Sequence, residues 1–173
     1  MKEELKLYLI RLWPILLLVI GLPLLSFAIW FFIPGRQLEV LIIDKTVSDE
    51  TYQEHAGLFW TLDHLKYKKG TGEFYTKEKD YLGFFPSGKA DFGTQIDLAG
   101  KPEQQIREMA AKNDLIYLAD SYGVYEGDFD ENQRYGISKK VYGGMDYSDV
   151  QLLRMAKEEG KVVVAEFNSI ASP

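Results

Sequence analysis

From Leu12 to Ile33 the chain runs for 22 residues without a charge, LWPILLLVIGLPLLSFAIWFFI. At about 1.5 Å per residue, a helix of that length spans a hydrocarbon core of roughly 30 Å. Trp13 and Trp30 lie near its two ends, where amphipathic rings favour the membrane interface. Pro14 falls at the first turn of the span, whereas Pro23 falls in its middle and predicts a kink. A cleaved signal peptide has a shorter apolar region and a small-residue cleavage site, and Pro34-Gly35-Arg36 is a poor one. A core helix of a soluble protein would keep a polar face, which this segment lacks. Residues 12–33 therefore read as a transmembrane helix, and the lipid bilayer as a partner of the chain.

Charge predicts the orientation. Residues 1–11 carry Lys2, Lys6 and Arg11 against Glu3 and Glu4, a net of +1. Only Arg36 is basic in the next 11 positions after the span. The excess of bases on the amino-terminal side predicts residues 1–11 in the cytoplasm and the rest outside, at the cell membrane. The total charge is −6, which leaves −7 beyond residue 11. An acidic domain argues against nucleic acid, whose phosphates need a basic face. Cysteine is absent, which removes disulfides, thiolate metal sites and a Cys nucleophile.

After a linker at 34–37, residues 38–173 read as one α/β domain. Leu38–Asp44, Leu115–Ala119 and Val162–Phe167 are short, β-branched, apolar runs of the kind buried in parallel sheets. Helices are expected between them. One of about 18 residues opens at Ser48, with Asp49 and Glu50 in its first turn. A second spans 102–112 behind Pro102. A third opens on the capping-box pattern Ser148-Asp149-Val150-Gln151 and stops at Gly160. Residues 67–99 and 121–146 are aromatic and Gly-rich, without periodicity. The alternation implies a mostly parallel, three-layer sheet. With no helix after the third run, the chain is expected to be the N-terminal part of a longer protein; a small complete domain is the alternative.

Candidate chemistry gathers at strand ends. Asp44, Asp120 and Glu166 each close an apolar run, and in open α/β sheets that edge binds ligands. Three carboxylates there suit acid–base work or a divalent ion, or they simply end strands where the chain meets water. Asp44-Lys45-Thr46 is similar to the phosphorylated-Asp motif of P-type ATPases and haloacid-dehalogenase hydrolases, but Val47 and Ser48 stand where that motif has Gly and Thr. Asn168 and Ser169 sit where a nucleophile elbow would, without its glycines, and offer caps or ligand hydrogen bonds. Tyr122 is a stacking surface beside Asp120. The aromatic sets Phe74, Tyr75, Tyr81, Phe84, Phe85 and Tyr122, Tyr125, Phe129, Tyr135 read either as ligand-stacking loops or as local mini-cores. His55 and His64 are nine residues apart, on opposite helix faces, and cannot chelate together. Lys69-Gly70-Thr71-Gly72 matches no phosphate-loop pattern. No metal site and no cofactor is implied.

The order of anchor, IIDKT strand, EHAGLFWTLDH helix, GFFP segment, DLIYLADSYGVY and VVVAEFNSIASP resembles a group of bacterial single-pass membrane proteins with no assigned activity. The layout is similar to flavodoxin-like domains of the class I glutamine amidotransferase-like superfamily. The resemblance implies a flavodoxin-like fold whose catalytic Cys position falls near Asn168-Ser169, where neither residue is Cys. The expected function is ligand or partner binding in a cell-envelope or transport assembly. The alternative is an envelope carbohydrate hydrolase using Asp120 and Glu166, which requires their carboxylates to converge across a cleft lined by Tyr122 and Tyr125.

Overall fold

The computed structural model describes residues 2–87, 93–129 and 138–169. It divides into two compact units, Met1–Gly35 and Arg36–Pro173.

The first unit is helical: α1 (Lys2–Leu16), a π-helical turn (Leu17–Gly21) and α2 (Leu22–Phe32). Ile10–Phe32 has a mean hydropathy of 2.6, none of it is buried against protein, and it is long and apolar enough to cross a membrane. The expected disturbance at Pro23 takes the form of the π turn just before it. A proline ring clashes with the carbonyl four residues back, here Val19, and a wider turn moves that carbonyl aside. Helical geometry ends at Ile33, which is extended at φ −68° and ψ 124°.

The second unit contains, in order, β1 (Arg36–Gln37), β2 (Val40–Asp44), α3 (Gln53–His64), β3 (Tyr67–Lys68), β4 (Leu82–Phe85) and β5 (Thr94–Ile96). There follow α4 (Glu103–Lys112), β6 (Leu115–Asp120), β7 (Val124–Tyr125), β8 (Lys140–Tyr142), α5 (Tyr147–Glu158) and β9 (Val162–Ala165). The main sheet has the order β5-β4-β2-β6-β9. β4, β2, β6 and β9 are parallel, and β5 runs antiparallel on β4. β2 therefore has its next parallel strand, β4, on one side and the later β6 on the other. The strand order reverses beside β2, which makes its carboxyl end a topological switch point.

Strand alternation sorts the core into two layers. Ile43, Ile116 and Leu118 face Ile106 and Ala110 of α4 and Leu152, Met155 and Ala156 of α5. Val40 and Ile42 face Phe59 and Leu62 of α3, with Tyr75 and Tyr81. Each such Leu, Ile or Phe stabilises the fold by about 1.5–3 kcal/mol on burial. The mixed α/β class and the mostly parallel sheet match the sequence reading.

Four expectations need correction. The run Val162–Phe167, expected to be a buried strand, forms β9 only as far as Ala165, and at the edge of the sheet all four residues of β9 are exposed. α3 begins at Gln53, not Ser48: Asp49 accepts the Thr51 N–H at 2.8 Å, an Asx turn that competes with helix. Tyr52, at φ 53° and ψ 42°, then turns the chain into the helix. α5 is capped by Asp146 rather than Ser148; Asp146 accepts from the backbone of Ser148 and Asp149, and Asp149 reciprocates. The regions 67–99 and 121–146, expected to be irregular, contain β3, β4 and β5 and β7 and β8 respectively, strands of two to four residues, too short for a two-residue period to show.

Candidate functional site

Asp44 closes β2 and Lys45 follows it. Because successive side chains in extended chain point to opposite faces, the two diverge across the sheet. Asp44 points to the α3 side and Lys45 to the α5 side. Both are buried, at 0% and 2% exposure. The backbone there is held from both neighbours. The register of β2 on β6 slips so that Asp44 pairs with Asp120, and the Lys45 N–H donates to the Asp120 carbonyl at 2.9 Å. On the other side Asp44 pairs with Gly83, at φ 151°, where any Cβ would run into the Asp44 carbonyl oxygen.

On the α3 face, His55 Nδ1 lies 2.7 Å from Asp44 Oδ2, and His55 Nε2 lies 3.0 Å from the Lys77 carbonyl. A carbonyl only accepts, so Nε2 carries a proton and donates. Nδ1 faces a carboxylate oxygen, so this contact also holds a proton. The other Asp44 oxygen accepts the Thr46 N–H at 3.0 Å. The imidazole is packed between Phe59 and Tyr81, with ring centroids at 5.0 and 4.7 Å. Neither ring nitrogen is left to take a proton from a substrate. Glu54, next to His55 on α3, has its carboxyl pushed up by burial, with a smaller contribution from the Asp44 charge.

On the α5 face, Lys45 Nζ donates to Asp149 Oδ2 at 2.6 Å and to Asp146 Oδ2 at 3.0 Å, and lies 3.4 Å from the Gly144 carbonyl. An ammonium has three protons, and these contacts use them. Burial pulls the Lys45 ammonium down, but the hydrogen bonds and charges of Asp149 and Asp146 outweigh it, so its pKa moves up. Burial likewise pushes Asp146 up, and Lys45 with the backbone donors of α5 more than reverses this, holding its carboxyl below the ordinary range. A lysine in this state is a charged clamp, not a nucleophile. Tyr142 adds its ring 5.9 Å from Nζ and donates its hydroxyl to Asp97 Oδ2 at 2.9 Å.

The other sequence-predicted residues are distributed around this edge. Asp120 is half-buried and accepts the Tyr122 N–H at 2.7 Å. Tyr122 is 45% exposed, with its ring 5.2 Å from that of Tyr125. Glu166 is exposed and accepts from the Tyr117 hydroxyl. Ser169 is buried; its Oγ is shared between the carbonyls of Leu118 and Ala119 at 2.9 and 3.1 Å, and its own carbonyl accepts from Ser121 at 2.6 Å. Ser169 is thus a clasp on the end of β6. The side chain of Asn168 and all of Tyr135 lie outside the described residues. The structure brings Asp44 and Asp120 together as register partners, and adds Lys45, His55, Asp146 and Asp149, which sequence reasoning passed over as site residues. The signals were present: a charged dipeptide closing a central strand, and an Asp-x-x-Asp pair opening a helix.

Among the described residues no group of three or more His, Asp or Glu side chains is arranged to hold a metal ion. Two surface hollows lie away from the switch point. One of about 600 Å³ runs along α5 and β9, lined by Val150, Leu153, Arg154, Lys157, Lys161 and Val163. A smaller one of about 220 Å³ sits beside β2, between Glu39, Lys69, Tyr75 and Asp80. Comparison of the chain with models of known protein families, with curated proteins and with solved structures finds no match.

Proposed function

We propose that this chain is a single-pass membrane protein with its N-terminus in the cytoplasm, and that its flavodoxin-like α/β unit binds a ligand or protein partner outside, within a cell-envelope or transport assembly. The observation that carries the reading is the state of the switch point. In a catalytic α/β domain, groups at this edge are left free to touch a substrate. Here His55 has both nitrogens engaged, and Lys45 is enclosed by two carboxylates and a carbonyl. The charges are spent on fixing α3 and α5 to the sheet, which supports a rigid binding scaffold over a catalyst. The hydrolase alternative needs Asp120 and Glu166 free to converge. Each already has an oxygen engaged, with the Tyr122 N–H and the Tyr117 hydroxyl respectively.

The test is a photo-crosslinking amino acid placed singly at the exposed positions Trp60, Tyr122, Val163 and Phe167 of the full chain in its native membrane. A discrete adduct of fixed mass from at least one of them is expected. No adduct from any position would remove the partner-binding reading.

A further inference from the structure

β9 is the last strand of the main sheet, and its outer edge has no neighbour among the described residues. The N–H groups of Val162 and Glu166 donate inward, to Asp114 and Leu118 on the β6 side. In a parallel strand, residues alternate in the side to which their backbone bonds. The N–H and C=O groups of Val163 and Ala165 therefore face out. The side chains are uncovered too: Val162, Val163 and Val164 are 59%, 37% and 39% exposed, and Phe167 is 92% exposed. An unpaired, apolar edge strand is a template for another strand, and folded proteins ordinarily blunt such edges with charge, proline or a covering element.

The two faces of this edge differ. Val162 and Val164 are register partners of Leu115 and Tyr117, on the α3 side of the sheet. That side offers only branched apolar carbon along β9. Val163, partner of Ile116, lies on the α5 side, in the larger hollow. Arg154, Lys157 and Lys161 stand around that hollow, and no acidic residue lines it, although the chain as a whole carries −6. Lys161 gives one hydrogen bond to the Ala111 carbonyl at 2.8 Å. Among the described residues, Arg154 and Lys157 have no carboxylate within ion-pair distance.

We infer that β9 accepts an extended acidic segment of another protein as an added strand, with carboxylates on its α5 side and β-branched apolar side chains on its other side. The outward backbone groups of Val163 and Ala165 supply the ladder, and the two faces supply the side-chain choice. Carboxylates on the first face reach Arg154, Lys157 and Lys161; branched carbons on the second lie beside Val162 and Val164. A second copy of this chain fits less well. A two-fold pairing of β9 with itself would set α5 against α5 and oppose Arg154 and Lys157 of one copy to the same residues of the other, and juxtaposed like charges disfavour association. This inference rests on the partner-binding reading and names the partner's chemistry and the face it takes.

The test uses the full chain in micelles of an uncharged detergent and a fluorescent peptide of about ten residues alternating Glu and Val, the length of a long strand. A peptide alternating Lys and Val is the control. The Glu peptide is expected to bind at least about tenfold more tightly, a margin that added salt erodes. Arg154→Glu with Lys157→Glu, at surface positions, is expected to invert the preference. Val163→Pro removes an outward N–H without touching the β6 ladder and is expected to abolish binding of both peptides, with circular dichroism showing the fold retained. Absence of binding, or equal affinity for the two peptides, overturns the inference. So does self-association of the chain that Val163→Pro abolishes, which assigns the edge to a second copy. If native-membrane adducts form at Tyr122 or Trp60 while the Glu peptide fails to bind, partner binding stands and the acidic-strand assignment falls.

Discussion

Asp44 and Lys45 are adjacent in the chain but fasten helices on opposite faces of the sheet: Asp44 holds His55 of α3, and Lys45 holds Asp149 of α5 together with its cap, Asp146. One dipeptide at the end of the central strand thus fixes the two helical layers that flank it. The geometry follows from the two-residue period of extended chain. Its consequences are measurable on each face separately.

On the α3 face, His55→Ala leaves Asp44 buried with a vacated partner. Leaving a buried polar group without its hydrogen-bond partner costs about 1–3 kcal/mol, and more for a charged one. A drop of that size in denaturant-unfolding free energy is expected, and Asp44→Asn should fall in the same range. A loss below about 1 kcal/mol, the scale of an exposed pair, would mean that the contact is not the clamp described.

On the α5 face, Lys45→Met should destabilise by a similar amount, because Asp149 is left 1% exposed without its cation. The double variant Lys45→Met, Asp149→Leu should recover most of the loss, since replacing a whole buried pair by apolar groups is often neutral or better. A double-mutant cycle with no coupling between the two positions would contradict the pairing.

The Lys45–Asp146 contact has a pH signature. Asp146 has a folded pKa below its unfolded one, so its stabilisation is present above the ordinary Asp value of about 3.9 and is lost as pH falls through the folded value. Asp146→Asn keeps a capping side chain but removes the charge. The stability gap between the native chain and this variant is expected at neutral pH and should close as pH falls below the ordinary Asp range. A gap that stays constant into that range would show that the charge is not what Asp146 contributes.

Tyr75 substitutes for a strand that does not reach the start of β2. β4 pairs with β2 only at Ile43 and Asp44, and farther back the Val40 N–H donates to Tyr75 Oη at 2.8 Å, while the Tyr75 hydroxyl donates to the Leu38 carbonyl at 2.7 Å. Tyr75→Phe keeps the ring and strands a buried N–H, for a cost of about 1–3 kcal/mol. Unchanged thermal stability in that variant would contradict this role.

What the sequence made legible tracks where periodicity is strong. The runs ending at Asp44 and Asp120 are apolar because helices pack on both their faces, and the runs at 12–33 and 162–165 are apolar without any such cover, so composition alone locates all four. β4 is illegible because Gly83 is demanded by the close passage of the Asp44 carbonyl and not by strand propensity, and β5 because it is only three residues long. The α5 cap falls two residues before the expected one because Ser148 and Asp146 are both good capping residues, and it is Asp146 that accepts the Ser148 and Asp149 N–H groups while also bonding Lys45. At the site, the sequence points to Asp44 as a strand-end carboxylate, and the structure buries it completely. Its buried partner His55 lies eleven residues away, on a helix that starts at Gln53 and not at the expected Ser48.

The domain's placement can be measured in one experiment, and the absence of cysteine makes it clean. A single cysteine at exposed Tyr122, in the full chain in sealed cells, is treated with a membrane-impermeant maleimide and the membranes are then washed with alkali. Labelling before lysis, with the labelled chain retained in the washed membrane at its full-length mass, is the result expected of an uncleaved anchor holding the α/β unit outside. Labelling only after lysis, or release of the labelled chain by alkali, would contradict it.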